Sequence, residues 1–223
     1  MHEGYSETSK QRSSSEKNLK EVDLLENANK GDPKAQYNLG LLLLSNSEES
    51  LNNARDWISR AASQNYAPAL HTKGNMAIQG IWPGLNVING RKYLAKAANI
   101  GHRPSHITLA KSLVFQSPVM KNLAIEWLRK GARLKDNQCM AMLGKAYDIR
   151  GFMNERLANA YFWYTLAWFN RNKSIKTKLI RLGSKLSMKE RNQVNFLLES
   201  HFNVPIEIIE HEHGKIFPSI VKS

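Results

Sequence analysis

The residues best suited to chemistry are few, and their spacing argues against a catalytic centre. Cys139 is the single cysteine of the chain. It occupies a position that small residues fill elsewhere in the sequence, which favours a buried structural thiol over a nucleophile. His102 and His106 are four residues apart, the spacing of one helix face, but no nearby Cys, Asp or Glu completes the ligand set of a metal ion. Neither feature predicts a reaction.

A denser polar cluster, His211, Glu212 and His213, lies near the end of the chain. A solvated polar run is favoured there over a metal site. The sequence contains no evident pair of catalytic carboxylates, no phosphate-binding glycine loop and no serine, histidine and aspartate set in a recognisable context. We therefore expect no enzyme, no cofactor and no metal centre, which leaves a binding function.

The composition excludes several classes of protein. The chain has 223 residues, 42% of them hydrophobic, with a single cysteine and a net charge of +13. These values exclude a collagen, a disordered chain and a disulfide scaffold. The longest apolar run, 41–44, is far shorter than the roughly 20 residues of a transmembrane helix. With no signal-peptide pattern at the start, we expect a cytoplasmic protein whose charge favours acidic partners.

The sequence predicts that helices form the surface on which a partner would bind. Residues 1–15 lack aliphatic side chains and predict a disordered tail. Leu19, Val22 and Leu25 predict the apolar stripe of a leading helix over 16–30. Helices and short turns then alternate from Asp32-Pro33, an N-cap followed by an N1 proline, to about Phe202.

The end of the chain divides into two parts. Ser187 and Glu190 have the spacing of a capping box, which predicts a helix that continues through Leu198. For 203–223 the sequence predicts no particular structure.

Small residues recur at a fixed period along the helical region. Four of them, each followed four positions later by a Leu-Gly, Lys-Gly or Leu-Ala pair, are Ala35, Ala69, Ser105 and Cys139. A second set of small residues lies four positions after a recurring aromatic residue. We expect both sets where helix backbones approach closely.

The aromatic residues of this repeat are Trp57, Tyr93, Trp127 and Trp163, spaced 36, 34 and 36 residues apart. We expect each to fill the wedge between neighbouring helical hairpins. Two units have two residues fewer between the small residue and the aromatic, so the difference lies in the loop inside the hairpin.

These residues resemble the Sel1-like repeat, a relative of the tetratricopeptide repeat. The resemblance is most specific where Leu143-Gly144 precedes Trp163-Tyr164 and where Gly80, Tyr93 and Gly101 stand at the family's spacing. It implies an all-α fold: a right-handed superhelical solenoid of about four stacked helix-turn-helix repeats, closed by C-terminal capping helices. The expected divisions are a repeat array over 16–168, with repeats at about 28–62, 63–98, 99–132 and 133–168, and basic capping helices over 169–202.

The same resemblance implies a non-enzymatic adaptor or scaffold that binds a peptide or helix of another protein in a concave groove. Two lysines among the groove positions favour an acidic partner segment. Carried over from the related repeat, the groove positions are Tyr37, Leu41, His71, Asn75, Ile107, Lys111, Ala141 and Lys145. Ordinary helix packing or solvent exposure is the alternative for each.

A basic segment supports a second hypothesis. Residues 169–202 contain eight basic and two acidic side chains. Over 170–186 the spacing predicts an amphipathic helix, with Ile175, Leu179, Leu182 and Leu186 on its apolar face. The alternatives are a solvated outer face or a site for nucleic acid or an anionic membrane. The basic residues around that helix are Arg171, Lys176, Lys178, Arg181 and Lys185.

Overall fold

The computed structural model describes residues 21–44, 50–114, 117–149 and 156–213, in which regular structure is helical and no strand occurs. The predicted tail 1–15 lies outside these residues. The chain divides into two compact units, Met1–Ser105 and His106–Ser223. The helices up to the boundary are α1 (21–29), α2 (Pro33–Leu44), α3 (Leu51–Ser63), α4 (Ala67–Ile78), α5 (Val87–Asn99) and α6 (Arg103–Leu113). Those that follow are α7 (Pro118–Arg133), α8 (Asn137–Asp148), α9 (Arg156–Phe169), α10 (Lys176–Gly183), α11 (Met188–Phe202) and α12 (Ile206–His213).

Helix starts follow the signals in the sequence. Helix α2 begins at Pro33, and the Asp32 carboxylate accepts hydrogen bonds from the backbone N–H groups of Lys34 and Ala35 at 3.2 and 3.1 Å. The predicted capping box is confirmed at α11, where the Ser187 and Glu190 side chains each accept a hydrogen bond from the other's backbone N–H.

The ends of alternate helices repeat one backbone motif. After α1, α3, α5, α7 and α9, a single residue takes a positive φ, and its N–H and the next N–H bond back to the last helical carbonyls in the pattern of a Schellman motif. Glycine adopts this conformation without strain, whereas most other residues adopt it at a cost in conformational free energy. The five residues are Gly31, Asn65, Gly101, Lys135 and Arg171.

The predicted small residues lie where helices meet, and this prediction is confirmed. Ala35, Ala69, Ser105 and Cys139 are all buried. The backbones of α4 and α5 come close together, because a Cβ atom on Gly74 would lie 2.7 Å from the carbonyl oxygen of Gly90. Only glycine, which has no Cβ atom, permits this contact.

The recurring aromatic residues are only partly enclosed by the core. Trp57, Tyr93, Trp127 and Trp163 are half-buried. The fully buried position is the next residue in each repeat: Ile58, Leu94, Leu128 and Tyr164.

Cations cover part of three of these half-buried rings, because an aromatic face attracts positive charge. The Arg60 guanidinium lies 4.5 Å from the Trp57 ring centroid, and the Lys130 ammonium lies 4.1 Å from that of Trp127. Lys73 lies 4.9 Å from the ring of Tyr93. These three rings therefore lie at the edge of the core, and a cation lies beside the part of each ring that the core leaves exposed.

Two further differences concern single helices. In α1 the side chains of Val22 and Leu25 are 61% and 46% exposed, so the predicted stripe is not the packing face. Leu24 and Ala28, four residues apart, pack instead against Ala35 and its neighbours.

The predicted basic helix is also shorter than 170–186. A 3-10 turn over Lys173–Ile175 precedes the eight-residue helix α10. Three of the residues predicted for the apolar face of this segment nevertheless point into the core: Ile175, Leu182 and Leu186 are buried.

Candidate partner-binding cleft

A cleft of about 650 Å³ opens in the second unit. Its volume is typical of pockets that hold a small ligand or the anchoring side chains of a partner. Helices α6, α7 and α8, with the residue that follows α6 and the one that follows α8, supply its walls. The lining residues are Lys111, Val114, Lys121, Ile125, Leu128, Met142, Lys145, Ala146 and Ile149.

Helical periodicity explains why these residues meet. On α7 the lining residues are spaced i, i+4, i+7, and on α8 they are spaced i, i+3, i+4. Each spacing selects one face of a helix. Each face carries a lysine beside apolar side chains, so the cleft combines an apolar floor with three ammonium groups.

The cleft is positively charged and has no acidic lining residue. Ile125, Leu128 and Ala146 form its buried floor, while Lys111 and Lys145 are exposed. Neither of these two lysines forms an ion pair with a carboxylate among the described residues. Their charge is therefore available to a carboxylate or phosphate group of a ligand.

Two of the predicted groove residues, Lys111 and Lys145, line this cleft. Their neighbours on the same helices do not: Ile107 is buried, with 8% of its surface exposed, and Ala141 is half-buried. Sequence reasoning missed Lys121 and the apolar floor. The signal for them was present in the helical spacing of Lys121, Ile125 and Leu128, but that spacing also describes an ordinary core face.

In the first unit, two of the predicted groove residues form side-chain hydrogen bonds within that unit. The Tyr37 hydroxyl lies 3.1 Å from the Thr72 hydroxyl and shares a hydrogen bond with it. Nδ1 of His71 lies 3.0 Å from the Ser105 hydroxyl oxygen. Leu41 is exposed and Asn75 is half-buried.

His71 has a perturbed acid–base equilibrium. Burial, with a smaller contribution from the charge of His102, lowers the pKa of His71 to about 4. The two imidazole rings lie 4.9 Å apart, and both approach the buried Ser105 hydroxyl. At neutral pH His71 is thus an uncharged packing residue.

The remaining chemically interesting residues are built into the core. Cys139 is fully buried, and burial raises the pKa of its thiol, with a further contribution from Asp136. His106 is buried, with its ring centroid 6.0 Å from that of Trp127. Within the described residues no group of three or more His, Cys, Asp or Glu side chains is placed to hold a metal ion. The side chains of Glu212 and His213 lie outside the described part of the chain.

The basic residues near α10 form a separate surface of the second unit. Arg171, Lys176, Lys178 and Lys185 are exposed. Arg181 forms an ion pair with Asp148, and the Lys178 ammonium lies 5.5 Å from the Tyr164 ring centroid. None of these residues lines the cleft.

Comparison with known proteins identifies the repeat. No family model matches the chain, and no curated protein sequence matches it either. A Sel1 repeat protein from Oxalobacter formigenes is similar in structure, with a TM-score of 0.60 and 25% identity over 80% of this chain and 77% of that one. The chain has the Sel1-like repeat fold. Its fold is an all-α helical repeat solenoid.

A second solved structure shares this fold. It is a protective antigen with an SLR fold, present in uropathogenic Escherichia coli strains, and it matches with a TM-score of 0.52 and 18% identity. The alignment covers 91% of this chain and 52% of the antigen, so the chain spans about half of that protein. No helix in the described residues is both long and apolar enough to cross a lipid bilayer.

Proposed function

We propose that this Sel1-like repeat protein is a non-enzymatic interaction scaffold. In this proposal the α6–α8 cleft of the second unit binds a partner segment that carries both apolar and acidic side chains. The observation that carries the proposal is the position of Lys111 and Lys145 above an apolar cleft without an acidic lining residue. We propose the cytoplasm as its place of action, because a single buried cysteine suits a reducing compartment.

The apolar floor would supply most of the affinity. Complete burial of one large aliphatic side chain contributes roughly 1.5 to 3 kcal/mol. A cleft of about 650 Å³ has room for several side chains of a peptide or helix. Ile149, which is 47% exposed, is the apolar lining residue that a partner would cover with the largest gain in buried surface.

The lysines would select the partner and speed its capture. Charges at the rim of an interface keep much of their hydration, so they act more on association rate and specificity than on total affinity. Lys111 and Lys145 are exposed, as this role requires. Partner binding should therefore weaken as salt rises, while the apolar contacts hold part of the affinity at high salt.

Photo-crosslinking tests the proposal. A benzoylphenylalanine at position 149, in the otherwise intact chain, should capture protein segments in native cells that contain Asp or Glu beside large apolar residues. The double substitution Lys111→Glu and Lys145→Glu should abolish this capture and leave the helical circular dichroism unchanged.

The matched control reverses two exposed lysines of α5 in the first unit, Lys92→Glu and Lys96→Glu. It has the same effect on net charge and should leave capture intact. Equal loss of capture in both double variants would mean that net charge, and not the cleft, attracts the partner.

A further inference from the structure

The surface around α10 carries a concentrated positive charge. Between residues 171 and 185 the chain has six basic side chains and no acidic one. All six are exposed. We call this set the basic surface: Arg171, Lys173, Lys176, Lys178, Arg181 and Lys185.

Packing holds the basic surface outward. Ile175, Leu182 and Leu186 are buried beneath it and fix the 3-10 turn and α10 to the second unit. Helix α10 packs against α9. The apolar side of the segment is therefore occupied. Arg181 is paired with Asp148, and the other five cations can meet a partner without any unfolding.

One apolar side chain departs from this arrangement. Ile180 is 49% exposed on α10, one helical turn after Lys176, and so lies among the cations on the outward side. An exposed aliphatic side chain next to a lysine suits the boundary between lipid headgroups and acyl chains. Residues 171–185 contain no aromatic residue, and base stacking on single-stranded nucleic acid depends on such rings.

We propose that the basic surface docks this protein onto an anionic lipid bilayer, with the lysines against the phosphate headgroups and Ile180 in shallow contact with the acyl region. The binding is peripheral, because Ile175, Leu182 and Leu186 stay in the protein core. Each lysine close to an anionic bilayer contributes roughly a fivefold gain in affinity.

Vesicle co-sedimentation with the full chain tests this docking. The probes are vesicles of phosphatidylcholine alone and vesicles of phosphatidylcholine mixed with phosphatidylglycerol. We expect binding to the mixed vesicles only, with a steep decrease as salt rises. Lys176→Gln with Lys185→Gln should weaken binding about thirtyfold. Lys92→Gln with Lys96→Gln, the same loss of charge on α5, should leave it unchanged.

Three results would overturn the docking proposal. They are no binding to the mixed vesicles, equal weakening by the α5 control, and tighter binding to duplex DNA that the Lys176 and Lys185 variant abolishes. The last result would assign the basic surface to nucleic acid. Lys111→Gln with Lys145→Gln should leave vesicle binding intact, so the docking and the proposed cleft function succeed or fail separately.

Discussion

The two units of the molecule repeat one helical register but carry different side chains at its equivalent positions. In the first unit Leu41 and Asn75 occupy two of these positions. In the second unit the equivalent residues are Lys111 and Lys145, which line an open cleft. The repeat therefore specifies a scaffold, while the side chains at its variable positions decide the polarity and charge of each face.

The ends of the helices differ between the units as well. The first unit places Gly31, Asn65 and Gly101 at the positive-φ positions, whereas the second places Lys135 and Arg171 there. Glycine and asparagine adopt this conformation readily, and long side chains do so at a cost. The second unit therefore carries local backbone strain at positions where the first unit carries little.

The largest stability effect is expected at the closest helix contact of the first unit. Gly74→Ala would place a methyl group 2.7 Å from a backbone oxygen of α5, which cannot move without the helix. We expect a loss of about 3 kcal/mol in the free energy of unfolding, measured in urea.

The equivalent change in the second unit sharpens this prediction. Gly144→Ala would place its methyl group against the ring of Tyr164, 2.5 Å away, which is a side chain. Its cost should be smaller, about 2 kcal/mol, because a ring can shift more readily than a backbone. An equal or reversed order of the two costs would contradict the helix contacts described for the units.

Acid should destabilise the first unit through His71. The pKa of His71 is lowered to about 4 by burial and by His102, against 6.5 in an unfolded chain. Between these values the unfolded state binds more protons, so the stability from this group is complete above pH 6.5 and falls as the pH decreases toward 4.

His71→Gln removes that titration and can keep a hydrogen bond to Ser105. Urea unfolding from pH 7 to pH 4.5 should show a shallower loss of stability for this variant than for the wild type. Identical pH slopes would mean that His71 is not the buried group that we describe. Burial also lowers the pKa of His201 in the second unit, so a residual slope of the same sign is expected.

A moderate effect is expected at the start of α8. The Asp136 carboxylate accepts hydrogen bonds from the backbone N–H groups of Gln138 and Cys139 at 2.9 and 2.8 Å. Asp136→Ala should reduce the free energy of unfolding by about 1 kcal/mol, whereas Asp136→Asn should retain most of it, because asparagine is an equally good N-cap. Thermal unfolding of the two variants checks this; an equal loss in both would attribute the effect to charge.

The smallest effect concerns the strained helix ends. Lys135→Gly in the second unit should raise the free energy of unfolding by about 0.5 kcal/mol, because relief of strain exceeds the entropy that glycine adds to the unfolded chain. Gly101→Ala in the first unit should lower it by about 1 kcal/mol. A gain from the alanine variant would show that the positive φ at this position costs nothing.

The repeat could be predicted from the sequence because small residues recur where backbones touch, as at Ala69 and Cys139. Caps such as Ser187 with Glu190 were predictable because a capping box involves only residues close together in the sequence. The packing face of α1 was not, because Val22 and Leu25 are larger than Ala28 and suggest the wrong stripe. Which face of α1 is buried depends on the side chains of α2 that pack against it, and the sequence of α1 alone does not contain that information.

The candidate site was predicted only in part. Lys111 and Lys145 follow from the repeat register, since they occupy equivalent positions on α6 and α8. Lys121 and Ile149 do not, because their place in the cleft depends on how α7 and α8 pack. The cleft exists because residues from three helices leave a space unfilled, and sequence spacing does not report empty volume.

The most direct test of the central claim is a binding titration of the partner segment captured at position 149. Its affinity should be measured for the wild type, the Lys111→Glu and Lys145→Glu variant, and the Lys92→Glu and Lys96→Glu control. We predict a loss of at least about tenfold for the cleft variant alone. Equal affinity for all three proteins would contradict binding of the segment in the α6–α8 cleft.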